Sequence, residues 1–241
     1  MKLLKNTVKK ITDVDQQLID AAQKRLDNLT KPVKSLGKLE ELARQICGIT
    51  NKEKPELKNK VIFTFAADHG VAEEKVSAFP QEVTAQMVSN FLNGGAGINV
   101  LARHAGARVV VADIGIAARL DDDRLIIKKV GSGTKNMAKG PAMTRTQAIK
   151  SIETGIEIFE NELKNGIDIC GTGEMGIANT TASSALTALF TKKPVKTITG
   201  RGCGINDSIL KNKIRVIRNS LGLNRPDADD PIDALAKVGG F

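Results

Sequence analysis

The stretch Ile167-Asp-Ile-Cys-Gly-Thr-Gly-Glu-Met-Gly-Ile-Ala-Asn-Thr-Thr181 decides the class of this chain. An apolar strand, Ile167 to Cys170, runs into a glycine turn and then into a small-residue helix from about Asn179 to Phe190. Glycines at such a junction permit positive φ and close approach of the backbone to a ligand. The free N–H groups of the first helical turn attract a phosphate or carboxylate. Glu174 is the odd member, because a carboxylate beside an anion-binding turn repels the ligand unless it faces a part that carries or develops positive charge.

The spelling Gly171-Thr-Gly-Glu-Met-Gly176 also fits the dinucleotide-binding fingerprint G-x-G-x-x-G. That fingerprint calls for an acid about 20 residues further on to hold the ribose hydroxyls. The run Phe190-Thr-Lys-Lys-Pro-Val-Lys-Thr-Ile-Thr-Gly200 contains none, so the dinucleotide reading is set aside.

Outward from this stretch, strands and amphipathic helices alternate from about residue 60. Val61–Ala67, Val109–Ala112, Ile167–Cys170 and Val195–Thr199 read as strands. Runs that are almost wholly apolar or β-branched, each ending in Gly or Asp, suit a parallel sheet covered on both faces. The predicted class is therefore α/β, a mostly parallel Rossmann-like sheet with helices on both faces. Its ligand crevice is expected at the carboxyl ends of the strands, where Asp68-His-Gly70, Asp113-Ile-Gly115, Gly171–Gly176 and Gly200-Arg-Gly-Cys-Gly204 fall. Residues 13–50 read as two helices separated by Lys31–Gly37, so residues 1–58 are expected to form a helical appendage and 59–241 the sheet domain. Leu120 to Thr144 is irregular and long enough for a binding loop or mobile lid.

A length of 241 residues permits one large α/β domain with a small appendage. No apolar run approaches the roughly 20 residues needed to span a bilayer, and the basic start lacks a signal peptide's apolar segment. Cys47, Cys170 and Cys203 are odd in number and widely spaced, which suits a reducing cytoplasm and neither a disulfide framework nor a zinc site. The net charge of +9 is scattered, and there is no Trp or Tyr to stack on bases. A basic surface that favours small anionic substrates accounts for it without nucleic acid.

Several residues have two readings. Asp68 and His69 suit either an acid–base pair or local capping of the strand end, and capping is favoured. His104 reads as a helix C-cap. Val76–Met87 places Ser77, Phe79, Gln86 and Met87 together near a helix start, fit for a flat apolar ligand or for a cap over a buried Phe. Gly200–Gly204 reads as a second glycine turn on an adjacent strand, able to share one phosphate with the first. Arg201 either clamps that phosphate or pairs with Asp207. Lys213 reads as a solvent-facing helix residue able to reach an anion.

These stretches carry a resemblance. Ser35-Leu-Gly-Lys-Leu-Glu-Glu-Leu42, Ala67-Asp-His-Gly-Val71, Val76–Thr84, Asn93-Gly-Gly-Ala-Gly-Ile98, Gly140-Pro-Ala-Met143, Gly173–Thr181 and Gly200–Gly204 occur in the order found in the nicotinate-nucleotide–dimethylbenzimidazole phosphoribosyltransferases. The first of these begins at Lys31 in the resemblance, and within it Pro32-Val-Lys34 stands where the family usually has Pro-Pro-Gly. The resemblance implies transfer of phosphoribosyl from nicotinate mononucleotide to a benzimidazole-type base, with inversion at the ribose carbon, no metal and no cofactor. It implies Glu174 as the carboxylate that stabilises an oxocarbenium-like state. It further implies Ser77, Phe79, Gln86 and Met87 around the base. It also implies Met175, Gly176, Asn179, Thr180, Arg201, Gly202 and Lys213 around the nucleotide. Family chains are homodimers and continue past Phe241 into an apolar helical region with a second glutamate, the general base. The competing expectation is a shortened relative that binds nucleotide or base without turnover.

Overall fold

A computed structural model describes all residues, Met1–Phe241. Two compact units are present, Lys2–Lys58 and Asn59–Phe241 with Met1. The first contains three helices: α1 (Lys2–Lys9), α2 (Gln16–Asp27) and α3 (Lys38–Thr50). Helix α2 starts because the Asp15 side chain accepts a hydrogen bond from Leu18 N, a cap worth about 1 kcal/mol. The Lys31–Gly37 connection is tied to α3 by Glu40, whose Oε1 accepts from Lys31 Nζ at 2.7 Å and from Leu36 N at 3.2 Å. The Lys31 ammonium holds that carboxyl below its usual range. Leu39, Leu42 and Ile49 of α3 are exposed.

The second unit is built on four parallel strands, β1 (Lys60–Ala67), β2 (Ala107–Gly115), β3 (Ile126–Ile127) and β4 (Ile169–Met175), in the order β3-β2-β1-β4. This is the strand order of a Rossmann half-sheet. Side chains alternate across it. Ala66 and Val111 face α4 (Val83–Leu92) and α5 (Gly97–Ala105), where Val88, Phe91 and Ala96 complete one apolar layer. Val61, Phe63, Ala112 and Ile114 face the other way and meet Ile158 of α6 (Arg145–Leu163). Full burial of each such Val, Ile or Phe contributes roughly 1.5–3 kcal/mol. The register of β1 on β4 is pinned at its start, where Asn59 N donates to Asp168 Oδ2 at 2.8 Å and Asp168 N to Asn59 O at 2.9 Å. A third apolar cluster unites α7 (Asn179–Thr191), α9 (Asp207–Asn224) and α10 (Pro231–Val238) through Ala185, Ala188, Val216, Ile217 and Val238.

Four expectations are corrected. Val195–Thr199 is not a strand; Val195–Ile198 is a short helix, α8. No strand lies beyond β4 for it to pair with, Pro194 occupies its N-cap, and packing against α7 and α9 overrides its β-branched composition. The strand expected at Ile167–Cys170 instead runs from Ile169 to Met175, so Gly171 and Gly173 lie inside it. A Cβ on Gly171 would stand 2.9 Å from Ile62 Cδ1, so this glycine serves close strand packing. The helix before β2 is capped by Gly106 at φ +65, its N–H donating to Ala102 O and Arg103 O, and His104 is exposed. Finally, the 120–144 stretch is no free lid. Thr134 N donates to Asp68 O, Gly70 N to Thr134 O and Lys135 N to Ala142 O, all between 2.7 and 3.1 Å.

The loop after β2 is fixed by buried charge. Asp113 is fully buried; its Oδ1 accepts from Ile116 N at 2.8 Å and its Oδ2 lies 3.3 Å from Lys129 Nζ. Lys129 also donates to Ile116 O and Ala118 O. Asp68 Oδ2 accepts from Ala117 N at 2.8 Å, which ties the ends of β1 and β2 together. No helix is long and apolar enough to cross a membrane.

Candidate active site

Glu174 stands near the carboxyl end of β4, paired in register with Phe65 of β1. Its Oε1 lies 3.1 Å from His69 Nε2, and its Oε2 accepts a short hydrogen bond from Asn179 Nδ2. The side chain is still 35% exposed. It opens on a cavity of about 470 Å³ lined by Phe65, Ile114, Ile152, Thr172, Leu235 and Phe241. A larger groove of about 790 Å³ lies along Lys135–Arg145 and α10. Three of its cations are neutralised locally, Lys139 by Glu73, Arg145 by Asp230 and Lys237 by Asp233. None of the site residues expected from the sequence lines it.

The turn after β4 is Gly176-Ile177-Ala178. Gly176 is required for space: a Cβ there would stand 2.2 Å from Ala67 O and 2.7 Å from Glu174 Oε1. Ile177 N donates to the buried Thr84 Oγ1 at 3.1 Å, which fastens the turn to α4. Ala178 adopts φ +74, a left-handed conformation unusual for a residue with a Cβ, and α7 starts at once after it. Ala178 has no side chain with which to cap that helix.

Beside this end of α7, Lys213 Nζ donates to Thr180 Oγ1 at 2.6 Å. Lys213 is only 2% exposed, and no carboxylate lies within ion-pair distance. Burial pushes its ammonium below the ordinary lysine value. Gly202, at φ +58, brings its backbone to the same place; a Cβ there would be 3.3 Å from Thr180 Oγ1 and 3.8 Å from Lys213 Nζ. A buried cation, a hydroxyl and a glycine backbone thus converge without an anion to balance them, an arrangement complementary to phosphate.

Three readings from sequence change here. Lys213 is not solvent-facing. Arg201 pairs with Asp207 and donates to Ile205 O, so it frames the Gly202 loop instead of facing the pocket. That loop follows helix α8, and the α9 end is already closed by Asn206, whose side chain accepts from Ile209 N. Of the residues read around a base, Phe79 and Gln86 are exposed, and Ser77 Oγ accepts weakly from Phe79 N at 3.4 Å. Met87 packs in the apolar cluster that also receives Met175. The pairing of His69 with Glu174 escapes a local reading, since the two are separated by 105 positions. The signal available in the sequence is that His69, just past β1, and Glu174, near the end of β4, both fall at carboxyl ends of strands in one parallel sheet.

A phosphoribosyltransferase family model matches residues 11–241. The nicotinate-nucleotide–dimethylbenzimidazole phosphoribosyltransferase of Geobacter sulfurreducens is 56% identical over the whole chain, which spans 69% of that relative's length. That of Desulforudis audaxviator is 53% identical with the same coverage. Among solved structures, CobT from Thermus thermophilus is similar with a TM-score of 0.89 at 41% identity, covering 93% of this chain and 67% of that one.

Proposed function

This chain belongs to the nicotinate-nucleotide–dimethylbenzimidazole phosphoribosyltransferase family, and on that premise we propose that it transfers phosphoribosyl from nicotinate mononucleotide to 5,6-dimethylbenzimidazole or a related base. The products are α-ribazole 5′-phosphate and nicotinate. The observation that carries the reading is the meeting, across the first two residues of α7, of a held carboxylate at Glu174 and an anion-seeking pocket at Lys213.

In this reading the pocket of Lys213, Thr180 and Gly202 receives the 5′-phosphate. Binding energy from that remote group orients the ribose carbon. As the bond from that carbon to the nicotinate ring nitrogen lengthens, its electron pair passes to the nicotinate and positive charge develops on the sugar. Glu174 supplies a fixed negative charge to that state without forming a bond. The base attacks through a ring nitrogen from the opposite face, so configuration inverts, and the base then gives its N–H proton to solvent water. Met175, Gly176 and Asn179 complete the nucleotide side. Ser77, Phe79, Gln86 and Met87 receive the base, and Arg201 acts through the loop that presents Gly202.

The reading includes a homodimer, for which the exposed Leu39, Leu42 and Ile49 of α3 offer an apolar surface. It also includes a cytoplasmic location, which suits three free cysteines. Incubation of the purified chain with nicotinate mononucleotide and dimethylbenzimidazole, followed by mass spectrometry, tests the activity. Release of nicotinate together with α-ribazole 5′-phosphate is expected. Binding of the nucleotide without either product would refute the transfer.

A further inference from the structure

Glu174 is held at both oxygens, and one of the two groups holding it is a histidine with nothing else to do. His69 is 4% exposed, its Nε2 lies 3.1 Å from Glu174 Oε1, and its Nδ1 has no hydrogen-bond partner. The ring is walled in by two glycines. A Cβ on Gly240 would stand 2.5 Å from His69 Cε1, and one on Gly176 would stand 2.8 Å from His69 Cδ2. Behind it, the backbone is fixed by a bridge to Thr134 at the end of β1. The imidazole therefore has one position and one polar contact.

We infer that His69 is a positioning residue for the transfer, holding Glu174 through an Nε2–H hydrogen bond so that the carboxylate stabilises charge on the sugar and does not attack it. The inference rests on the proposed function and deepens it. An ionised carboxylate only accepts hydrogen bonds, so the proton of a neutral imidazole must sit on Nε2. With the proton on Nδ1, two lone pairs would face each other at this distance. Asn179 Nδ2 fixes the second oxygen from the first residue of α7. A carboxylate with a donor on each oxygen has its plane locked and one lone pair of each oxygen engaged. Held in this way it is a poorer nucleophile, which suits a direct displacement with inversion and not a covalent glycosyl intermediate.

The test uses the full chain labelled with ¹⁵N-histidine, which has two imidazoles, His69 and the exposed His104 as internal reference. Long-range ¹H–¹⁵N spectra are expected to show His69 as a single Nε2–H tautomer with a protected, hydrogen-bonded proton, lost in Glu174→Ala. A His69 spectrum like that of His104, or one unchanged in Glu174→Ala, overturns the inference. In the transfer assay, His69→Ala is expected to lower kcat about tenfold or more, with KM for nicotinate mononucleotide within about twofold, and His69→Gln to recover part of the loss. In a Glu174→Ala background, His69→Ala should cost less than about twofold more. Independent, multiplying losses, or a loss confined to KM or to thermal melting, would show a merely structural role. A chain that performs no transfer at all counts against the proposed function, and the imidazole spectra then decide the present inference by themselves.

Discussion

Lys213 Nζ lies 2.6 Å from Thr180 Oγ1 and has no carboxylate to answer its charge. A buried ammonium with one neutral partner is costly, and the cost is recovered only when an anion arrives. Lys213→Met should therefore separate stability from binding. Affinity for nicotinate mononucleotide, read by calorimetry, is expected to fall about 10- to 100-fold, the worth of a charge-assisted hydrogen bond. The unligated protein is expected to melt a few degrees higher. A lower Tm with unchanged affinity would remove Lys213 from the pocket.

The same burial fixes a pH dependence. The Lys213 ammonium is held below its ordinary value of 10.5, so it loses its proton at lower pH than a free lysine. Affinity for the phosphate should decline as pH rises through that lowered value. A bound phosphate lifts the value again, so binding in the alkaline range takes up a proton. For folding the sign is opposite. The unfolded lysine keeps its proton to higher pH, so the unligated chain gains stability between the folded and the ordinary value. Calorimetry in buffers of different ionisation enthalpy checks the proton uptake, and flat affinity up to about pH 10 would contradict it.

Glu174→Gln keeps the shape of the side chain and removes its charge. Turnover should drop at least about tenfold, or about 1.4 kcal/mol of barrier. Because the side chain is one-third exposed, melting should hardly move. Unchanged turnover at unchanged Tm would end the electrostatic role.

Lys129→Met leaves Asp113 buried without its cation. Breaking a buried pair from one side costs about 3–5 kcal/mol. The partial exposure of Lys129 and the bond from Ile116 N place the expectation at the lower end of that range. Urea unfolding measures it, and restoring much of the loss with Lys129→Met plus Asp113→Asn would identify the uncompensated carboxylate as the cause.

Strands β1 and β2 are legible in the sequence because their apolar runs are continuous and end in Asp or Gly, as central parallel strands do. Glu174 is legible because a carboxylate has no structural reason to sit among glycines. The extent of β4 is not, since Gly171 and Gly173 look like a turn until Ile62 and the Phe63 carbonyl are seen packed against them. Lys213 misleads because its helix neighbours Lys211 and Arg215 are polar, and its burial follows from the packing of α9 on α7, which no local pattern encodes. His69 reads locally as a cap because its partner lies on a distant strand, and only the sheet's topology brings the two ends together.

The clamp between Asn59 and Asp168 has a meaning for chemistry at the opposite end of the sheet. Side chains alternate along β4, so a slip of one position against β1 would swing Glu174 away from His69 and offer Gly173 or Met175 in its place. Glycines inside the strand give few side-chain interlocks with which to resist such a slip. The reciprocal bonds of Asn59 and Asp168 start the count of residues on both strands together. A contact six strand residues, about 20 Å, from Glu174 thereby determines which side chain faces His69.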